Sequence, residues 1–160
     1  MNIIERLLGT KRFKLFRNEG EGYQVEVPIY WKISSVTAEY GHSFSDPEGQ
    51  EGVISVKPVL IPGNTLEEYY DALMEGMKKE LRYKFIASAD IKIGQRPAKE
   101  AVFFAPATVK GKKKKAIMTI DIVDDSSRFR YVVLSYSVLQ SRYEDYIGIY
   151  QHAKKTFRIL

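Results

Sequence analysis

An α+β fold built on a mostly antiparallel sheet is predicted by three features of this 160-residue chain. Four strand-like segments follow one another from Phe85 to Leu139 with short turns between them, which makes an antiparallel meander. Two of them, "AIMTIDIV" (Ala116 to Val123) and "RFRYVVLSYSVL" (Arg128 to Leu139), are apolar in both registers, so the sheet is covered on both faces. Two amphipathic helical stripes, one mid-chain and one at the end, can supply cover.

The elements follow in order. Residues 1–17 read as a short amphipathic helix with a basic trailer: Ile3, Ile4, Leu7 and Leu8 share one helical face, and Gly9 is a stop signal. "RNEGEG" (Arg17 to Gly22) is a polar linker, so residues 1–21 form an arm and linker ahead of one domain, 22–160. In "GYQVEVPIYWKI" (Gly22 to Ile33), Tyr23, Val25 and Val27 share one strand face, and Pro28 ends the strand or marks an edge. "SSVTAEYGHSF" is a second short strand, "SDPEGQEG" a loop, and "VISVKPVLI" (Val53 to Ile61) a strand whose Pro58 calls for an edge or bulge.

Helix signals follow. Thr65 and Glu68 make a capping-box pattern ahead of Leu66, Tyr69, Tyr70, Leu73, Met77 and Leu81 at helical spacing. The strands "FIASADIKI", "KEAVFFAPATV", "AIMTIDIV" and "RFRYVVLSYSVL" are separated by the turns "GQRP", "KGKKKK" and "DDSS". A final helix carries Tyr143, Tyr146, Ile147, Tyr150, Ala153 and Phe157, with Ser141 and Glu144 as a second capping-box pattern.

Composition bounds function. The absence of cysteine removes thiolate catalysis, disulfides and cysteine-ligated zinc. No apolar run approaches the roughly 20 residues that cross a bilayer, and the first residues lack a signal peptide's apolar region. The expectation is a cytoplasmic chain, at most peripheral to a membrane. Of the net charge of +5, all but one unit sits in residues 1–17, where Arg6, Lys11, Arg12, Lys14 and Arg17 face only Glu5. A nearly neutral body argues against nucleic acid, which calls for a basic face.

The candidate chemistry is sparse. His42 stands in "HSFSD" near Ser43, Ser45 and Asp46, but a triad is a geometry rather than a spacing, and no nucleophile-elbow pattern surrounds either serine. Two carboxylate pairs, Glu67–Glu68 and Glu144–Asp145, sit at helix starts, where the dipole explains them, and Asp124–Asp125 suits a turn. No phosphate loop, dinucleotide fingerprint or zincin motif is present, and neither cofactor nor metal is expected. Lys110, Lys112, Lys113, Lys114 and Lys115 form a dense positive point that either docks on an acidic surface or keeps a turn solvated. Trp31, the sole tryptophan, is expected to be a buried plug, with a ligand-facing aromatic as the alternative.

The order of these pieces resembles the Mog–PsbP superfamily, and its PsbP-like and DcrB-like prokaryotic members in particular. The likeness is carried by "GYQVEVPIYWKI", where members often show a G-Y-x-hydrophobic-x-x-P-x-x-W opening. It continues through "FSDPEGQEGVISVKPV", "TLEEYYDAL", "IGQRPAKEAVF" and "YVVLSYSVLQSRYEDYIGIYQHAKKTFRI". The resemblance implies a three-layer α/β/α sandwich around a central, mostly antiparallel sheet of about six strands. It also implies a binding or assembly accessory protein with a protein partner rather than an enzyme. Two alternatives stand beside this: a binder of anionic membrane surfaces, and an uncharacterised enzyme. The candidate binding residues are Arg6, Lys11, Arg12, Lys14, Arg17, Lys110, Lys112, Lys113, Lys114 and Lys115.

Overall fold

The computed structural model describes residues 12–37, 41–60 and 64–160. The helix expected over residues 1–9, and with it Arg6 and Lys11, lies outside the described residues. The strands are β1 (Phe13–Asn18), β2 (Tyr23–Pro28), β3 (Lys32–Thr37), β4 (Gly41–Ser45), β5 (Val53–Leu60), β6 (Lys84–Ile93), β7 (Arg96–Val109), β8 (Lys112–Asp125), β9 (Arg130–Leu139) and β10 (Arg158–Ile159). The helices are α1 (Leu66–Lys79), between β5 and β6, and α2 (Tyr143–Thr156), between β9 and β10.

The fold is α+β, and every strand pairing among the described residues is antiparallel. Two sheets replace the single sheet of about six strands expected from the sequence. One has seven strands in the order β3-β4-β5-β9-β8-β7-β6, and the other three in the order β1-β2-β10. The reason lies in β2. Tyr23, Val25 and Val27 are fully buried, so β2 is a central strand and needs partners on both sides. Phe13–Asn18 pairs along its whole length on one side, and Arg158–Ile159 on the other. This corrects the reading of residues 13–17 as a basic trailer. Two aromatic rings, Phe13 and Phe16, turn toward the domain, and Phe16 packs edge-on against Phe44 at 4.9 Å between centroids.

The expected second strand is in fact two, β3 and β4, paired with each other. Pro58 behaves as its chemistry demands: β4 pairs with β5 only as far as Val56, so Pro58 lies on a local edge. Both two-residue turns of the meander, Gly94-Gln95 and Lys110-Gly111, have positive φ at each position, the geometry that matches strand twist in tight hairpins.

Strands apolar in both registers divide their side chains between two clusters. Val132, Leu134, Tyr136 and Val138 of β9 and Val123 of β8 join β2, Trp31 and the α2 residues Ile149, Tyr150 and Ala153. Ile120 and Ile122 of β8 and Tyr131 of β9 join Ala101, Phe103 and the α1 stripe of Leu66, Tyr69, Tyr70, Leu73, Met74 and Met77. Thr65 caps α1 as expected, accepting from the Glu68 amide at 3.1 Å while its hydroxyl reaches the Glu68 carboxylate. The second capping box does not form. Gln140–Arg142 is a 3-10 turn, and α2 begins at Tyr143 with no side-chain cap. A continuous 3-10 lead-in replaces the extended residue that a capping side chain requires.

Candidate functional site: a cationic cleft beside the lysine hairpin

The lysine run is mostly strand. The turn is only Lys110-Gly111, and Lys112–Lys115 already pair with Val109–Pro106 of β7. This corrects the reading of residues 110–115 as a loop, because the two glycine-compatible φ values at 110 and 111 suffice to reverse the chain. On one side β6 starts opposite Phe104, and on the other β9 ends opposite Ala116. Residues 105–115 are therefore a two-stranded ribbon extending past both neighbours.

A cleft of about 820 Å³ opens at the base of this ribbon. Lys113, Lys114 and Lys115 line it, joined by Arg82 and Lys84 at the start of β6 and Arg142 at the start of α2. Its apolar surface comes from Phe104, Ala105, Pro106, Val109 and Leu139. None of the described residues lining it is acidic. Of its six cations, Arg82 alone has a carboxylate within ion-pair distance among the described residues, Glu80 at 2.7 Å. The Lys115 ammonium stands over the Phe104 ring, 5.6 Å from its centroid.

The structure thus brings three of the ten candidate residues into one cleft and adds three cations that local reading missed. Arg82 and Lys84 follow a helix whose basic end the dipole already explains. Arg142 was hidden inside an apparent capping box. Lys110 and Lys112 lie at the ribbon tip outside the cleft lining. Lys14 and Arg17 belong to the three-stranded sheet and Arg12 immediately precedes it: the Lys14 ammonium donates to the Trp31 carbonyl at 2.5 Å, and Arg17 pairs with Glu19 at 3.0 Å.

The "HSFSD" polar residues are committed separately. His42 Nδ1 lies 3.4 Å from Glu21, Ser43 bonds Ser55 at 2.9 Å, and Asp46 accepts the Gln50 and Glu51 amides at 2.9 Å. His152 stacks on Phe13 at 3.7 Å and sits 3.0 Å from Glu26. Trp31 is fully buried, as expected of a plug.

A second polar cluster joins α2 to the sheet. Glu100 of β7 and Asp121 of β8 are directly paired, Tyr150 donates to Asp121 at 2.5 Å, and Lys154 donates to Glu100 at 2.6 Å. Burial, and then the hydrogen bond with Glu100, push the Asp121 carboxyl up to about 8. Against its own desolvation, Glu100 is held below the usual range by bonds from Asp121 and Lys154. The native state keeps a proton on Asp121 that the unfolded chain loses near pH 4, so stability falls as pH rises from about 4 to about 8 and then levels. The slope from this group is at most about 1.4 kcal/mol per pH unit. Asp121→Asn, which mimics the protonated acid, is expected to flatten the decline in urea titrations run across that range. An equal slope in wild type and variant would refute the assignment.

No family model matches the chain, and no curated protein matches its sequence. Its fold is shared with solved structures. Cyanobacterial PsbP (CyanoP) from Synechocystis sp. PCC 6803 superposes with a TM-score of 0.65 at 12% identity, over 96% of this chain and 95% of that one. The Ran-binding protein Mog1p of Saccharomyces cerevisiae gives 0.64 at 12%, over 94% and 96%. LpqN of Mycobacterium tuberculosis, described as involved in cell envelope biogenesis, gives 0.56 at 11%, over 94% and 92%. The fold is therefore Mog/PsbP-like. No helix among the described residues is long and apolar enough to cross a membrane.

Proposed function

We propose that the protein is a non-enzymatic binding or assembly accessory protein, and that the cleft beside the ribbon is where it holds a protein partner. One observation carries this reading: six cations and an apolar floor converge, with no carboxylate among the described lining residues, at the base of a ribbon that extends past its neighbouring strands. Uncompensated charge of one sign beside apolar surface suits association with an oppositely charged partner. Sharing a fold with a Ran-binding protein and with PsbP supports a binding role. Two polar residues of "HSFSD" support the same reading, since Ser43 bonds Ser55 between β4 and β5 and Asp46 holds the Gln50 and Glu51 amides of the following loop.

A photo-crosslinking residue placed at Pro106 in the native cell tests it, with Glu48, exposed on a different loop, as the control position. A discrete protein adduct is expected at 106 only, and Lys113→Glu with Lys115→Glu should abolish it without lowering Tm. Equal adducts at both positions, or none at 106, would reject the cleft as the partner site.

A further inference from the structure

Both faces of the ribbon contribute to the cleft, Ala105, Val109 and Lys114 from one and Phe104, Pro106, Lys113 and Lys115 from the other, and the second face has a regular pattern. Pro106 is directly opposite Lys115, and Phe104 and Lys113 are the next residues on that same face of β7 and β8 respectively. Along β7 this face carries Phe104, Pro106 and Thr108, and along β8, directly opposite them, Ile117, Lys115 and Lys113, so the apolar pair and the lysine pair are staggered by one step and meet at Pro106 and Lys115. Within each row the side chains repeat every second residue, about 6.5–7 Å apart. The rows themselves are about 5 Å apart. Arg142 extends the cationic side from the start of α2.

Resting on the reading of this cleft as the partner site, we propose that its occupant is an extended segment of the partner protein in which acidic and apolar residues alternate. An extended chain has the same two-residue repeat as the ribbon. Laid along the ribbon, it directs alternate side chains to opposite sides. Its apolar residues meet Phe104 and Pro106, and its carboxylates meet Lys113, Lys115 and Arg142. A helical segment repeats every 3.6 residues and loses register with the two rows. Charge complementarity sets the sign of the occupant, because five of the six cations have no carboxylate partner among the described residues. The apolar row separates this segment from a purely acidic tail, which would leave Phe104 and Pro106 uncovered.

The test uses the full chain and a fluorescein-labelled six-residue peptide alternating glutamate and leucine, followed by fluorescence anisotropy. Three comparisons accompany it: a peptide of identical composition with the glutamates and leucines in two blocks, a lysine–leucine version, and co-sedimentation with phosphatidylserine vesicles. The alternating peptide is expected to bind on the order of tenfold more tightly than the block peptide. The lysine version should not bind. Lys113→Glu with Lys115→Glu should weaken the alternating peptide on the order of tenfold, and so should raising salt from about 0.05 to 0.5 M. Pro106→Ser, at an exposed position, should narrow the gap between alternating and block peptides. Equal affinity for the two acidic peptides would overturn the proposal, as would binding that ignores the charge reversal. Vesicle binding without peptide binding would assign the cleft to a lipid surface and overturn it too. A partner adduct at position 106 with no peptide binding would leave the cleft as the partner site and reject the alternating segment alone.

Discussion

Trp31→Ala is expected to destabilise the protein by about 3–5 kcal/mol, the range for deleting a large aromatic side chain from a packed core. For a domain of this size that lowers Tm by roughly 6–20 °C. Trp31 is fully buried among the residues that join β2 and α2 to the seven-stranded sheet. The turn that delivers it is fixed twice: its amide donates to the Pro28 carbonyl at 2.9 Å, and its carbonyl accepts the Lys14 ammonium. Surroundings held in this way relax poorly into the space left by an indole, which places the cost at the upper part of the range. The indole Nε1 has no hydrogen-bond partner among the described residues. Trp31→Phe should therefore recover most of the loss, since it keeps a ring and removes an orphaned donor. Calorimetry measures both variants. In wild type, the native emission of this single tryptophan should be blue-shifted and move to the red on unfolding. A cost below about 1 kcal/mol for the alanine variant would mean the site collapses freely, and the plug reading would fail.

Asp125→Ala is expected to cost a similar amount, about 3–5 kcal/mol, by leaving a buried cation without its partner. The Asp125 side chain is fully buried and accepts from Arg130 Nε at 2.6 Å and Arg96 Nη1 at 3.3 Å. Arg130, only 12% exposed, also donates to the carbonyls of Glu21 and Gly22 at the turn between β1 and β2. Arg128 donates to the carbonyl of Leu160, whose amide donates to Gly22 at 2.9 Å. One carboxylate thus orients the arginine that fastens the three-stranded sheet to the seven-stranded one. Asp125→Asn retains the shape and one acceptor, so its cost should be smaller. Arg130→Lys should behave like a loss, because an ammonium cannot span the carboxylate and two carbonyls with a planar fork. Urea unfolding of the four proteins tests the scheme. If Asp125→Ala and Arg130→Lys were each within about 0.5 kcal/mol of wild type, this carboxylate–arginine link would not be what holds the sheets together.

The corrected place of β1 changes what truncation reports. Removing residues 1–17 deletes nearly all of a paired strand along with the basic arm, so lost vesicle binding and lost stability would arrive together. Removing residues 1–11 leaves β1 whole and is the cleaner probe of attachment to an anionic surface.

By itself the sequence determined the α+β class, the meander from β6 to β9, the capped helix α1, the two-sided burial of β8 and β9 and the burial of Trp31. Each of these is written in short-range patterns: period-two alternation, 3.6-residue stripes, and turn residues whose φ values are set locally. The tertiary structure alone decided the rest. In "FKLFRN" the apolar residues fall at 13, 15 and 16, which alternates poorly, and only the buried backbone of β2 makes it a strand. The third strand of the smaller sheet, β10, is two residues long and too short to leave any sequence signal. The cationic cleft gathers residues as far apart as Arg82 and Arg142, and the register of β6, β7, β8 and β9 is what brings them together. Periodicity fixes which way a side chain faces along its own element. Which other elements it meets depends on strand order and on where each neighbour stops, and those are properties of the packed chain.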